Sequence, residues 1–414
     1  MNIVIEPHRF DGAIKVPPSK SHTIRRLLMA SFTAGVSIIE EPLDSLDVRS
    51  CIAVCRRLGA DVREEPSRLT TRGVASITAS QTLDVGNSGT TLFLATAMAS
   101  LGDAPITLTG DAQIQRRSAE NLLNALSALG VKVQSINGRA PITVQGPWRG
   151  GRCRIECPTS QYLSGLLTAS PLASRGTVTE IDVPLLNEKP YIEMTLSYLD
   201  KQGVEYEKSS DFSYFRVKGG AVYKPMNGPV PADFSSAAFP AAAAVVSGGS
   251  VELKGLDSND AQGDKAFFDM LKMMGCEAVW KDSSLFISRK GPLHGGIFDL
   301  NAIPDTLPAI SVVAAFAQGE TVLTNAAHTR IKETDRIAAM ALELGKLGIC
   351  CTERPDGLAI QGGTVRGGKV DGHGDHRIVM ALAAAGLGAE SAIEVVGAEA
   401  ADVTYPGFLD ILTM

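Results

Sequence analysis

Leu58-Gly59-Ala60, Leu129-Gly130-Val131, Gln202-Gly203-Val204, Met274-Gly275-Cys276 and Leu347-Gly348-Ile349 punctuate the chain, with their glycines 71, 73, 72 and 73 residues apart. Each triplet closes an amphipathic run and precedes a short apolar alternation, the place where a helix ends on a left-handed glycine and a strand begins. A sixth copy opens at 407–414, where the sequence stops before its glycine. A second series keeps the same period. Ala-rich runs end near Gly35, Gly102, Gly176, Gly248, Gly319 and Gly388, and β-like stretches follow at 36–39, 106–108, 178–181, 251–253, 322–324 and 393–396. Two series sharing one period of about 72 residues mean six copies of a strand–helix–strand–helix unit with further short strands.

A chain of 414 residues exceeds one core and fits two domains of roughly 200 residues, hence three units in each. The first helix starts at Lys20, so a strand at 2–6 precedes the first unit and is expected to join the last, which lacks its own tail. The expected layout is a discontinuous domain of 1–17 plus 232–414 carrying units four to six. Residues 18–231 are inserted into it as units one to three, and the two chain crossings form a hinge.

Hydrophobic residues make up 44% of the chain and charged residues 20%, the balance of a globular protein. Only 5% is aromatic, while alanine and glycine abound, which predicts helices packed closely on sheets. A formal charge of −6 argues against nucleic acid or an anionic membrane as partner, so any basic site is local. Cys51, Cys55, Cys153, Cys157, Cys276, Cys350 and Cys351 include no CxxC pair. Two CxxxC spacings lack the remaining ligands of a zinc site, and the expectation is reduced core thiols, no metal and a cytoplasmic location. Residues 1–13 carry Glu6, His8 and Arg9 instead of the apolar core of a signal peptide. The Ala-rich run 237–246 is interrupted by Pro240 and is too short to span a bilayer.

The first helix of each unit opens on Lys20-Ser21-His22-Thr23-Ile24-Arg25, Gly86-Asn87-Ser88-Gly89-Thr90-Thr91, Thr159-Ser160-Gln161, Asp233-Phe234-Ser235-Ser236, Asp305-Thr306 or Asp375-His376-Arg377. Second helices open on Arg116-Arg117-Ser118, Asn187-Glu188-Lys189-Pro190-Tyr191 and Lys332-Glu333-Thr334-Asp335-Arg336. Capping accounts for Ser, Thr and Asp. It does not account for Lys20, Arg25, Arg116, Arg117, Lys332, Arg336 and Arg377, because a cation in the first turn opposes the helix dipole by about 0.3–1 kcal/mol. An anion lying between them reverses that sign, since N–H groups, dipole and cation then act on it together. Small anionic ligands, gathered without metal or nucleotide, are therefore expected. The 86–91 loop is no Walker A motif, because Gly89 is not followed by Lys and Ser/Thr. It reads as a tight turn, or as a loop that lets backbone approach a carboxylate or phosphate.

Pro18-Ser19-Lys20-Ser21, the 86–90 loop, Arg330-Ile331-Lys332-Glu333-Thr334-Asp335-Arg336, Asp375-His376-Arg377 and Tyr405-Pro406 follow one another along nearly the whole chain. In this set, of which 330–336 is the most specific member, the chain resembles the 5-enolpyruvylshikimate-3-phosphate synthase family, the 3-phosphoshikimate 1-carboxyvinyltransferases of the shikimate pathway to chorismate and the aromatic amino acids. The resemblance implies two inside-out α/β domains of three units each. It implies transfer of the enolpyruvyl group of phosphoenolpyruvate to the 5-hydroxyl of shikimate 3-phosphate through a tetrahedral ketal phosphate, with no cofactor. It also implies roles, residue by residue. Asp305 is the candidate base, Glu333 the candidate proton donor, and Lys20 reaches both ligands at the reacting centre. Shikimate 3-phosphate is assigned Lys20, Ser21, Arg25, Thr159, Ser160, Gln161, Tyr191, Asp305 and Lys332. Phosphoenolpyruvate is assigned Lys20, Gly89, Arg117, Gln161, Arg336, His376 and Arg377. A monomer acting on small molecules is expected.

Four positions depart from the family pattern. Phe93 stands for an Arg, Glu188 for the Ser that commonly meets the acceptor phosphate, His328 for an Asn and Val403 for a Lys, so the pocket is less positive. Glu188 is expected to turn outward or to pair with Lys189, Lys20 or Arg25, leaving acceptor affinity within about tenfold of a Ser variant. One rival is a divergent enolpyruvyl transferase with another anionic acceptor. The sister enzyme using UDP-N-acetylglucosamine is disfavoured because 113–118 holds no cysteine, and an RNA-phosphate cyclase is disfavoured by net charge. A non-catalytic anion-binding protein is disfavoured by the presence of both Asp305 and Glu333.

Overall fold

The computed structural model describes residues 1–413 apart from 75 and 78. The chain divides into two compact units, Pro18–Val230 and the discontinuous Met1–Pro17 with Pro231–Met414.

The plan of the inserted unit, Pro18–Val230, is clearest in its middle third. Strand Gln81–Asp84 leads through a helix to the parallel strand Ile106–Thr109. A second helix then leads to the antiparallel pair Lys132–Ile136 and Arg139–Gln145. Parallel neighbours need a crossover helix, whereas the hairpin needs only Asn137 and Gly138, both left-handed at φ 53° and 66°. The sheet order is Gln81–Asp84, Ile106–Thr109, Arg139–Gln145, Lys132–Ile136. The third sheet repeats it with Gly151–Cys157, Val178–Leu186, Tyr214–Lys218 and Tyr206–Lys208. So does the first, with Val36–Glu40, Arg68–Arg72 and Asp61–Glu65, but its opening edge is Asn227–Pro229, brought back from the far end of the unit.

The helices of this unit are α1 Lys20–Ala30, α2 Leu46–Arg57, α3 Gly89–Ala99, α4 Glu120–Ala128, α5 Ser160–Ala169 and α6 Lys189–Gln202. Every residue of α3 is buried, and α3 packs against both α1 and α5. A helix apolar all round belongs inside a core, so the helices fill the centre and the sheets, with alternating exposed positions, form the outside. A Cβ on Gly165 of α5 would stand 2.9 Å from the Phe93 carbonyl oxygen of α3, so glycine sets the helix spacing there. Phe93 itself is buried edge-on against Tyr162, ring centroids 4.9 Å apart, and belongs to this helix interface.

The discontinuous unit carries α7 Phe234–Val246, α8 Ala266–Met273, α9 Leu307–Ala315, α10 Arg336–Lys346, α11 His376–Gly386 and α12 Phe408–Leu412. Two sheets have the same strand order: Asp11–Lys15, Ser250–Lys254, Ser284–Arg289, Cys276–Lys281, and Ile297–Asp299, Glu320–Thr324, Gly357–Gln361, Cys350–Arg354. The last sheet pairs Gly368–Asp371 parallel to Ile393–Val396, with Asn2–Ile5 antiparallel on its other side. Buried helices α7, α9 and α11 pack on one another, and their alanines permit that approach.

At Gly59, Gly130, Gly203, Gly275 and Gly348 the backbone is left-handed, with φ from 70° to 109°, where a Cβ would be strained. Two expectations are corrected. Pro240 does not interrupt its helix: α7 runs through it, fully buried, and the surrounding packing outweighs one lost N–H bond. Five of the seven free cysteines are buried, but Cys350 is exposed and Cys351 partly so, because they start a sheet-edge strand and are not core thiols. Among the described residues, no helix is long and apolar enough to cross a membrane and no cluster of metal-ligating side chains occurs.

Candidate active site

In the inserted unit the candidate groups gather at the N-termini of α1, α3 and α5. Ser19 caps α1, and Lys20 is its first residue. The Lys20 ammonium lies 3.1 Å from Asp47 in the first turn of α2, with both side chains largely buried. Arg25, 1% exposed, is wedged between α1, α5 and α6. It donates to the Thr195 hydroxyl (3.0 Å), the Ser164 hydroxyl (3.1 Å), the Ser21 carbonyl (3.2 Å) and the Tyr191 carbonyl (3.4 Å). Burial lowers its pKa to about 10, against the opposing pull of Tyr198, Tyr191 and Glu188, so it stays a cation at neutral pH.

Gly89 begins α3, with Ser88 as cap. A Cβ at Gly89 would lie 2.2 Å from an Arg117 guanidinium nitrogen and 3.7 Å from the Gln161 side-chain oxygen. The missing side chain is therefore what lets Arg117 lie across the end of α3. Gln161 ties α5 to α3 by donating to the Thr90 hydroxyl at 3.1 Å. Gly89, Arg117 and Gln161, far apart in sequence, thus form one cradle.

Thr159 caps α5, its hydroxyl accepting from the Gln161 N–H at 3.4 Å. For Glu188 the outward arrangement is corrected here, while Arg25, one of the cations expected to pair with it, does feel its charge. Its side chain is buried and points inward: one carboxylate oxygen accepts from the Ser160 N–H (2.9 Å), the Ser160 hydroxyl (2.6 Å) and the Thr159 hydroxyl (3.3 Å). Glu188 adopts a left-handed backbone before α6, and that conformation aims the carboxylate at the start of α5. Lys189 instead lies over the Phe212 ring, 6.0 Å from its centroid.

In the discontinuous unit the candidates cluster around Arg336, the first residue of α10. Its guanidinium, 1% exposed, donates to Asp375 (2.8 Å), Asp305 (2.8 Å) and Glu333 (2.7 Å). Arg377 grips the second oxygen of Asp305 at 2.8 Å. Asp375, fully buried, also caps α11 by accepting the Arg377 N–H at 2.8 Å. His376 begins α11, its Nδ1 3.9 Å from Asp375. Burial alone raises the pKa of Asp305, but Arg377, Arg336 and then Lys332 outweigh it and hold the carboxyl far below the ordinary carboxylate range. The three carboxylates push the pKa of Arg336 up against its burial.

The prediction of seven cations in first turns holds for Lys20, Arg336 and Arg377 only. Arg25 sits in the second turn of α1. Arg116 ends the 3-10 turn Ile114–Arg116 and Arg117 follows in extended conformation, because α4 starts only at Glu120. Lys332 follows the 3-10 segment Ala327–Ile331, short of α10. Sequence reasoning missed Asp47 and the ionic role of Asp375. Both look like ordinary helix-start acids, and only the fold shows which cation each receives. Of the departures, Phe93 fills the α3–α5 interface, His328 is buried in the 3-10 segment Ala327–Ile331, and Val403 ends another at Ala398–Val403.

Carboxylates interleaved with arginines at helix starts in one unit, and a glycine-lined guanidinium at a helix start in the other, are the equipment of an α/β transferase of small anionic substrates. The family model of EPSP synthase (3-phosphoshikimate 1-carboxyvinyltransferase) matches residues 4–412, and the chain belongs to that family. The 3-phosphoshikimate 1-carboxyvinyltransferase of Acetivibrio thermocellus is 45% identical across 100% of this chain and 98% of that protein. Its counterpart in Ruminiclostridium cellulolyticum is 42% identical across 99% of this chain and 97% of that protein. The solved EPSP synthase of Acinetobacter baumannii superposes with a TM-score of 0.80 at 27% identity, covering 100% of this chain and 97% of that one.

Proposed function

We infer that this chain transfers the enolpyruvyl group of phosphoenolpyruvate to the 5-hydroxyl of shikimate 3-phosphate and releases phosphate. The observation that carries the reading is Asp305 and Glu333 flanking the shared partner Arg336: two carboxylates able to divide proton transfer, beside cations able to hold anions.

In the proposed reaction the acceptor oxygen bonds to C2 of phosphoenolpyruvate and its proton passes to Asp305. Glu333 delivers a proton to the methylene carbon, giving the tetrahedral ketal phosphate. Loss of a proton from that carbon then expels phosphate and regenerates the double bond in the product ether. With both oxygens on arginines, Asp305 is a weak base. It gains basicity when Arg336 and Arg377 turn to the carboxylate and phosphate of the donor, which guanidinium forks suit. The proposed donor set also takes His376, Lys20 and the cradle of Gly89, Arg117 and Gln161. The acceptor set is Lys20, Ser21, Arg25, Thr159, Ser160, Gln161, Tyr191, Asp305 and Lys332. A monomer in the cytoplasm, needing no cofactor, completes the proposal.

Phosphate release from phosphoenolpyruvate, measured with and without shikimate 3-phosphate, tests this reading. Release dependent on the acceptor is expected, with Glu333→Gln slowing turnover by about 10²–10⁴-fold. Release with another acceptor alone would redirect the assignment.

A further inference from the structure

Glu188 is a buried acid that the proposed reaction does not use, and it occupies groups the reaction assigns to substrate. It is 2% exposed, and its backbone lies at φ 59°, ψ 42°, a conformation unfavourable for a residue with a Cβ. Strain of this kind persists only where the surroundings over-determine it. Here they do: the carboxylate takes the first N–H of α5 and the hydroxyls of Ser160 and Thr159. Among the charged and titratable groups that feel it are Arg25 on α1, Tyr162 on α5, and Cys157 just ahead of α5. The helix end therefore already carries an anion, supplied by the chain itself.

We propose that Glu188 is a resident competitor for the acceptor's phosphate. It fills the start of α5 in the free protein and must release Ser160 before a phosphate monoester can bind there. In this way it sets acceptor affinity. The proposal rests on the assignment of a phosphorylated acceptor to Thr159 and Ser160. One N–H and one hydroxyl cannot serve two anions at hydrogen-bond distance, and a carboxylate adjoining a phosphate adds like-charge repulsion.

The test titrates the full chain, Glu188→Ser and Glu188→Gln with shikimate 3-phosphate and with unphosphorylated shikimate by calorimetry. The Ser160 amide is followed by NMR during titration with inorganic phosphate. Both variants are expected to bind shikimate 3-phosphate about tenfold more tightly or better, while shikimate changes by less than about threefold. Glutamine keeps the shape and removes the charge, so a merely structural role would leave it like the native chain and would weaken both ligands in the serine variant. Where shikimate 3-phosphate binds, unchanged or weaker affinity in both variants overturns the proposal. If it binds none of the three proteins, the acceptor assignment falls and inorganic phosphate decides. A gain of about tenfold at Ser160 in the variants then upholds the competitor, and no gain overturns it.

Discussion

Asp305 and Arg377 meet at 2.8 Å, and the other oxygen of the same carboxylate is held by Arg336 at 2.8 Å. A carboxylate gripped at both oxygens does two jobs. It ties the turn Pro304–Thr306 to the starts of α10 and α11, and it stays ionised against its burial.

The linkage has a definite sign. A folded-state pKa below the unfolded value of about 3.9 gives stability that is fully present above that value and is lost progressively as pH falls from it toward the folded pKa. Asp305→Asn should lower unfolding free energy at pH 7 by roughly 1.5–3 kcal/mol, the range for hydrogen bonds to charged groups. The gap to the native chain should shrink below about pH 4. Urea unfolding of both proteins at pH 7 and pH 3.5 measures this. A gap that stays constant would mean that the carboxylate's charge contributes nothing. Turnover should fall by about 10²–10⁴-fold if Asp305 also accepts the proton.

The readable part of the fold lay in residues whose role is local. A glycine after an amphipathic run announces its own φ, as Gly59 and Gly348 show. Strand Asn227–Pro229 was not readable. Three residues containing Gly and Pro carry no alternation, and only pairing with Val36–Glu40 makes them a strand. The site divides in the same way. Lys20, Arg336 and Arg377 at helix starts were legible because a cation there is locally unfavourable. The side chain that answers each was not: Asp47 is 27 residues from Lys20, and Asp375 is 39 from Arg336. Glu188 defeated the reading for a third reason. Its direction follows from a left-handed backbone that a glutamate rarely adopts, so sequence pattern offered an outward rotation, which the structure lacks, beside pairing with a cation.

Asp47 is a buried partner that helps to hold the Lys20 ammonium. If Lys20 acts at the reacting centre, removing the charge of Asp47 weakens its orientation. Asp47→Asn is expected to lower kcat/KM by about tenfold, equivalent to about 1.4 kcal/mol, without unfolding the protein. Steady-state kinetics with melting curves as control decide the matter. A variant with unchanged kcat/KM would show that the 3.1 Å pair is only structural.

Gly89 offers the most direct test of the cradle, because its φ is not left-handed and alanine is acceptable there on backbone grounds. What alanine cannot share is space: its Cβ would lie 2.2 Å from the Arg117 guanidinium, the flexible end of a long side chain. The arginine must therefore shift while helix α3 stays in place. Gly89→Ala is expected to keep the melting temperature within a few degrees and to raise KM for phosphoenolpyruvate by about tenfold or more, since a displaced guanidinium loses the paired geometry that anion binding needs. The cause is separable from general damage by repeating the change in an Arg117→Ala background. If displacement of Arg117 is the mechanism, the second substitution adds little once the arginine is gone, and the two effects are strongly non-additive. If Gly89→Ala costs as much without Arg117 as with it, the loop itself meets the ligand and the cradle account fails.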